Sequence, residues 1–196
     1  MNLVERVKRI LLSPQTEWEV IATEQTTPAE LYTRYIIPLA AIGPVAQFIG
    51  YSVFGIRVFG STYRVPIGSG LTTAIVTFIL TLGATYLLAM IIDALAPTFG
   101  GQRSQIQALK VAAYSSTAAW VAGIFALIPG LRVLGILGLY SLYLLYLGLP
   151  SLMKTPRDRA LAYTGVVVIA GIVLFMVVSI IANRFLSTPG AGMSMP

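Results

Sequence analysis

A chain of 196 residues that is 57% hydrophobic and only 10% charged, with mean hydropathy +0.84, lies far from a soluble domain, where about a quarter of residues are charged. The net charge of +6 comes from scattered basic residues without an aromatic-interleaved cluster, so no nucleic acid is expected as partner. The absence of cysteine and histidine excludes disulfides, thiolate chemistry, His-ligated metals and Ser–His proteolysis.

In chain order, residues 2–12 place Leu3, Val4, Val7, Ile10 and Leu11 at helical spacing, with Glu5, Arg6, Lys8 and Arg9 between them. This pattern predicts an amphipathic helix, either lying in the membrane interface or packed on the protein's own cytoplasmic face. Ser13-Pro14 restarts the chain into a second short surface segment. There Trp18, an apolar ring with one N–H, suits an interfacial anchor beside the basic Arg6, Lys8 and Arg9. Thr27-Pro28-Ala29-Glu30 is a capping box with proline at the first helical position.

The first span is expected at about 35–54, with Pro44 freeing the carbonyl of Ala40 and kinking the helix. Residues 55–70 are turn-rich with patches of alternation, which predicts an exposed loop or hairpin. The second span carries Thr73, Thr77, Thr81, Thr85, Ala89 and Asp93 at four-residue spacing, near one helix face. These hydroxyls are expected to serve neighbouring helices. Asp93 falls about one turn before Pro97, near a helix C-terminus where the dipole disfavours a negative charge. It is either a helix-end acid at the membrane surface or a functional carboxylate, and a cation or hydroxyl should partner it.

The third span, about 111–128, carries Ser115, Ala119 and Gly123, a small-residue ladder that admits a close helix neighbour. Ile128-Pro129-Gly130 is a tight turn into the fourth span, about 133–152, where Tyr140, Tyr143 and Tyr146 share one broad face. That stripe serves either packing and interhelical bonding or a ligand. Thr155-Pro156-Arg157-Asp158 is a second capping box opening the fifth span at about 160–182, and a disordered tail is expected over 183–196.

The fold class is therefore all-α: five transmembrane helices behind an N-terminal amphipathic helix, with a cytoplasmic segment over 1–34 and a membrane domain over 35–182. With the N-terminus inside, nine basic residues (Arg6, Lys8, Arg9, Arg34, Arg103, Lys110, Lys154, Arg157, Arg159) are cytoplasmic. Four (Arg57, Arg64, Arg132, Arg184) are outside, the sense required by the positive-inside rule. Asp93, Arg103, Lys110, Lys154 and Arg157 then share the cytoplasmic side and, with the tyrosine stripe, form the candidate functional cluster. Five of seven acids precede Arg34, no Walker loop is present, and Gly68 and Gly70 lack the third glycine of a dinucleotide loop. No enzyme activity, metal or cofactor is expected.

Four strings carry a resemblance: Ser-Pro-x3-Trp (13–18), Ala-Pro-Thr-Phe-Gly-Gly (96–101), Lys-Val-Ala-Ala-Tyr-Ser (110–115) and Tyr-Leu-Leu-Tyr-Leu-Gly-Leu-Pro-Ser-Leu-Met-Lys (143–154). Together they resemble the Yip family of Ypt/Rab-interacting membrane proteins, nearest its small bacterial inner-membrane members, from Ser13 to about Ile181. The resemblance implies five spans with a cytoplasmic N-terminus in the inner membrane and the C-terminus outside. The eukaryotic relatives' Asp-Leu-Tyr-Gly-Pro string has at most a distant counterpart in Asp93-Ala-Leu-Ala-Pro97, so Rab binding is not carried over. Two functions stand: a non-enzymatic organiser binding lipid, a protein partner or a second copy at its cytoplasmic face, and a small-solute or ion transporter using Asp93.

Overall fold

The computed structural model describes residues 2–58 and 61–186. It is helical apart from one hairpin, in which β1 (Ile56–Val58) pairs antiparallel with β2 (Ser61–Tyr63), with Arg57 opposite Thr62.

Two short helices open the chain: α1 (Leu3–Leu12), capped by the Asn2 side chain, and α2 (Pro14–Thr23), which starts on a proline. A long helical stretch, α3 (Pro28–Phe54), follows. Its capping box forms as expected: Glu30 N donates to Thr27 Oγ1 at 3.2 Å, and Thr27 N donates to Glu30 Oε2 at 3.2 Å. Pro38 and Pro44 cannot donate to the helical ladder, and α3 accommodates them with a widened π turn over Tyr32–Ile36 and a break at Ala41.

α4 (Ile67–Leu95) continues through a 3-10 turn to Phe99. Its threonine row does not serve neighbouring helices as expected. Thr73, Thr81 and Thr85 each donate to the carbonyl four residues back, at 2.8 Å, because a membrane helix offers that acceptor first.

The third apolar stretch is divided into α5 (Gln105–Ser115), α6 (Thr117–Ala122) and a 3-10 turn over Gly123–Leu127. The division falls at Ser116, where three successive hydroxyls bond to the backbone: Ser115 and Ser116 to Ala112 O, and Thr117 to Tyr114 O. A 3-10 stretch rich in glycine (Pro129–Leu139) leads into α7 (Tyr140–Met153), and α8 (Arg157–Leu186) closes the described chain. The second capping box does not form as expected. Thr155 Oγ1 is buried without a hydrogen-bond partner among the described residues, and Arg159 N bonds instead to Pro156 O at 3.0 Å. Of the expected tail, 183–186 are still helix, and 187–196 lie outside the described residues.

Among the described residues, four helical stretches are long and apolar enough to cross a membrane: Pro28–Phe54, Ile67–Phe99, Val133–Met153 and Arg157–Arg184. The divided α5–α6 stretch is not one of these four. It is the most enclosed piece instead, with every residue from Ala108 to Ser115 buried. It packs against α4 on one side and α7 on another, while α4 also packs on α8. Outward-facing Ile75, Ile79, Ile169, Ile172 and Phe175 are exposed, as expected of surfaces meant for lipid.

Helix crossings depend on glycine at specific contacts. A Cβ at Gly123 would meet Gly43 Cα at 2.9 Å, and one at Gly50 would meet Ala126 O at 2.3 Å, so α3 lies directly on the turn after α6. The expected ladder is thereby split rather than serving one neighbour. Gly123 faces Gly43, Ala119 lies under Gly138, and Ser115 is buried and bonded to its own helix. The turn at Ser116 separates Ser115 from Ala119, and the 3-10 winding after Ala122 separates Gly123, so spacing of four no longer keeps one face.

Candidate functional site

All four family-like strings come together at one end of the bundle, the end on which α1 and α2 sit. The Ser-Pro-x3-Trp string brings Trp18 to zero exposure. Its ring lies on Gly148 of the Gly-Leu-Pro string, where a Cβ would meet Cζ2 at 2.7 Å and Cη2 at 2.8 Å. Its edge meets the Tyr114 ring at 6.2 Å and 88°, and Tyr114 belongs to the Lys-Val-Ala-Ala-Tyr-Ser string. The interfacial role expected of Trp18 is thus corrected. The side chain is core, because a glycine opposite it leaves room for an indole, and its Nε1 has no hydrogen-bond partner among the described residues.

Side chains from the bundle hold the C-termini of both short helices, where the last carbonyls lack intrahelical partners. Lys110 Nζ donates to Ile21 O at 2.9 Å and Glu24 O at 2.5 Å, and Gln107 Nε2 donates to Ala22 O at 3.3 Å. A cation at a helix C-terminus also complements the dipole. The Tyr140 hydroxyl donates to Leu11 O at 3.1 Å, doing the same for α1. Ile10, Trp18 and Ile21 are fully buried beneath these contacts, worth about 1.5–3 kcal/mol each relative to exposure.

A polar core runs between the two helices and the bundle. Arg6 is 6% exposed, ion-paired to Glu17 Oε1 at 2.5 Å and to Glu24, and its guanidinium lies 5.7 Å from the centroid of the Tyr114 ring. Burial works against its charge, but the Glu24 hydrogen bond and the charges around it outweigh that and raise its pKa above the ordinary arginine value. The surface role expected of Arg6 is therefore corrected, since two carboxylates draw it inward. Lys8 and Arg9 are exposed as expected, Arg9 paired with Glu5 on its own helix. Tyr35 of α3 packs on Tyr114 at 4.5 Å, and its hydroxyl lies 2.6 Å from Thr117 Oγ1.

The fourth string, Ala-Pro-Thr-Phe-Gly-Gly, forms the adjoining junction. Gln102 N donates to Met153 O at 2.8 Å. Gly100 takes a left-handed φ of 74°, and a Cβ on Gly101 would meet Met153 O and Thr155 Oγ1, each at 2.7 Å. Lys154 ends α7 in a left-handed conformation with φ 57° and its side chain exposed. Phe99 stacks on Tyr163 of α8 at 4.8 Å and 9°, and the Tyr163 hydroxyl donates to Ile92 O.

The cluster expected around Asp93 is not assembled. Asp93 has no ion pair among the described residues, and its Oδ1 is buried without a hydrogen-bond partner. Lys110 is committed to α2, while Arg103, Lys154 and Arg157 are exposed. Of the tyrosine stripe, Tyr140 holds α1 and lies at a tilt against Tyr143, ring centroids 5.5 Å apart, and Tyr143 and Tyr146 face outward. Sequence reasoning missed Glu17, Glu24, Gly148 and Tyr163. The concentration of acids before Arg34 was the available signal for the first two.

These contacts put the resemblance on a structural footing, and the comparisons with known proteins agree. The model of the Yip1 domain matches residues 8–178. The chain belongs to the Yip1 domain family. It is 25% identical over 169 residues to inner membrane protein YohC of Escherichia coli K12, covering 84% of this chain and 87% of that protein. The same figures hold for the protein of that name in Escherichia coli O6:H1. No solved structure matches it. The matched residues 8–178 take in α2, the Lys110–Tyr114 segment and Gly148, while Arg6 lies just before them.

Proposed function

We propose that this Yip1-domain protein is a non-enzymatic, five-span protein of the bacterial inner membrane that presents its docked N-terminal helices, on the cytoplasmic side, to a lipid or protein partner. The observation carrying this reading is the clasp. Lys110, Tyr140, Trp18 on Gly148 and the Arg6 ion pairs all serve to hold α1 and α2 on one end of the bundle. With that inner face satisfied, α1 turns Val4, Lys8 and Leu12 outward, four residues apart, a mixed basic and apolar edge suited to anionic headgroups.

Five crossings are supported by the course of the chain. Gln102 lies against Met153 at the clasp end, whereas Gly50 lies against Ala126 at the other. Residues 105–127 therefore run from one end to the other, about 34 Å at 1.5 Å per residue, enough for the hydrocarbon core. Their smaller apolar character fits a helix surrounded by protein rather than lipid. The family relation to a protein named for the inner membrane and the nine-to-four division of basic residues support the location and orientation.

The test is photo-crosslinking from the exposed Lys8 and Arg9 in native membranes. Lipid or protein adducts of defined mass that disappear when α2 is undocked by Gly148→Leu are expected. Adducts unchanged by undocking would contradict the reading.

Transport of a small solute or ion is the second reading, favoured by the buried, unpartnered Oδ1 of Asp93. A pH-dependent cation flux in proteoliposomes, lost in a well-folded Asp93→Asn variant, would replace the first reading with this one.

A further inference from the structure

A cleft of about 410 Å³ opens between α2, α7 and α8 at the clasp end, within the range of about 300–1,000 Å³ that holds small ligands. Two opposite charges line it: Glu19 from α2 and Arg157 from the first turn of α8. No ion pair joins them, and neither has an ion-pair partner among the described residues. Charges of opposite sign that face one space without pairing leave their full hydrogen-bonding capacity for a molecule carrying both signs.

The neutral polar groups of the lining add both donors and an acceptor. The half-exposed Tyr146 hydroxyl and Gln15, one turn before Glu19 on α2, can donate. The Ser151 hydroxyl already donates to Leu147 O at 3.0 Å, so it is left to accept. The remaining wall is apolar, made by Leu147, Pro150 and Ala160, and Leu161, next in the chain after Ala160, is exposed.

We infer that this cleft binds a phosphoethanolamine group, the headgroup of a zwitterionic aminophospholipid or its free soluble form. The phosphate meets the Arg157 guanidinium, aided by the N-terminal dipole of α8, and the Tyr146 hydroxyl. The primary ammonium meets the Glu19 carboxylate and Ser151. A lipid in this position lays its chains along the apolar wall toward Leu161. An anionic headgroup without an ammonium leaves Glu19 unanswered, and a quaternary ammonium has no N–H to donate to it. The inference deepens the lipid-partner reading above and rests on it for the placement of this end at the membrane surface.

The test is titration of the detergent-purified full chain with short-chain phosphatidylethanolamine, phosphatidylglycerol and phosphatidylcholine, and with free phosphoethanolamine. Binding is followed by calorimetry, and melting temperature is checked for each variant. Saturable binding of phosphatidylethanolamine in preference to the other two lipids is expected. Arg157→Gln should weaken it about tenfold, the effect of one charge-assisted hydrogen bond. Glu19→Gln should remove the preference over phosphatidylcholine while leaving phosphate-dependent binding. Both side chains are exposed, so both variants should melt like the parent. Free phosphoethanolamine binding as tightly as the lipid would identify a soluble ligand of the same chemistry. Equal binding of all three lipids, or an Arg157→Gln variant that binds as the parent does, overturns the inference. A Lys154→Cys variant labelled only from inside the cell shows in the same study that the membrane placement stands independently of that result.

Discussion

The contact between Trp18 and Gly148 can be broken by a single methyl group. In Gly148→Ala the new Cβ would fall 2.7 and 2.8 Å from two atoms of the rigid indole, distances that real Cβ atoms essentially never show, and 3.0 Å from a third. The ring cannot swing aside, since Tyr114 bounds its edge and the side chain has no exposed surface. Either α2 lifts or α7 bends. Overpacking of this kind costs about 1–3 kcal/mol, which shifts the docked–undocked balance of α2 by roughly fivefold to more than a hundredfold.

The chain has two tryptophans, so Trp120→Phe leaves Trp18 as the single emitter. In that background, Gly148→Ala should red-shift the emission, raise acrylamide quenching and expose residues 1–26 to protease. Trp18→Phe should restore the melting temperature of Gly148→Ala, because the smaller ring vacates the space. Little else should be lost with it, since Trp18 Nε1 has no hydrogen-bond partner among the described residues. Emission and quenching unchanged by Gly148→Ala would refute the reasoning.

Lys110→Met should release α2 by removing a charged donor from two carbonyls, at about 1.5–3 kcal/mol, read as a lower melting temperature and faster cleavage in residues 1–26. Arg6→Met should be less disruptive when combined with Glu17→Gln than alone, because the single change leaves a buried carboxylate unpaired; a thermal double-mutant cycle measures this. Gly123→Leu should separate α3 from the turn after α6 and lower the melting temperature, whereas Gly83→Ala, with open space around it, should not. Asp93→Asn should keep the fold and match or exceed the parent's melting temperature, since its Oδ1 has no partner among the described residues to lose.

Much of the fold was legible because membrane helices advertise themselves by length and hydropathy, and because the Thr27–Glu30 capping box is a local signal with a local outcome. The same chemistry failed at Thr155, whose buried hydroxyl lies 2.7 Å from where a Cβ on Gly101 would stand and is enclosed by that junction. The clasp was not legible for a related reason. Lys110 reaches Ile21 across 89 positions and Tyr140 reaches Leu11 across 129, and no periodicity encodes such pairings. Lys110 on an otherwise apolar helix looked like a partner for the nearest acid in sequence, Asp93. Helix-end carbonyls, which carry no formal charge and leave no mark on composition, took it instead.

The most direct test of the account is the sidedness of four exposed positions, read with single cysteines in a chain that has none of its own. Lys8→Cys, Arg103→Cys and Lys154→Cys should resist an impermeant thiol reagent in intact cells and react once the membrane is opened, while Thr62→Cys should react from outside. A cysteine at 154 that labels from outside while 103 does not would mean that residues 105–127 fail to cross, and the five-span arrangement with its cytoplasmic clasp would be wrong.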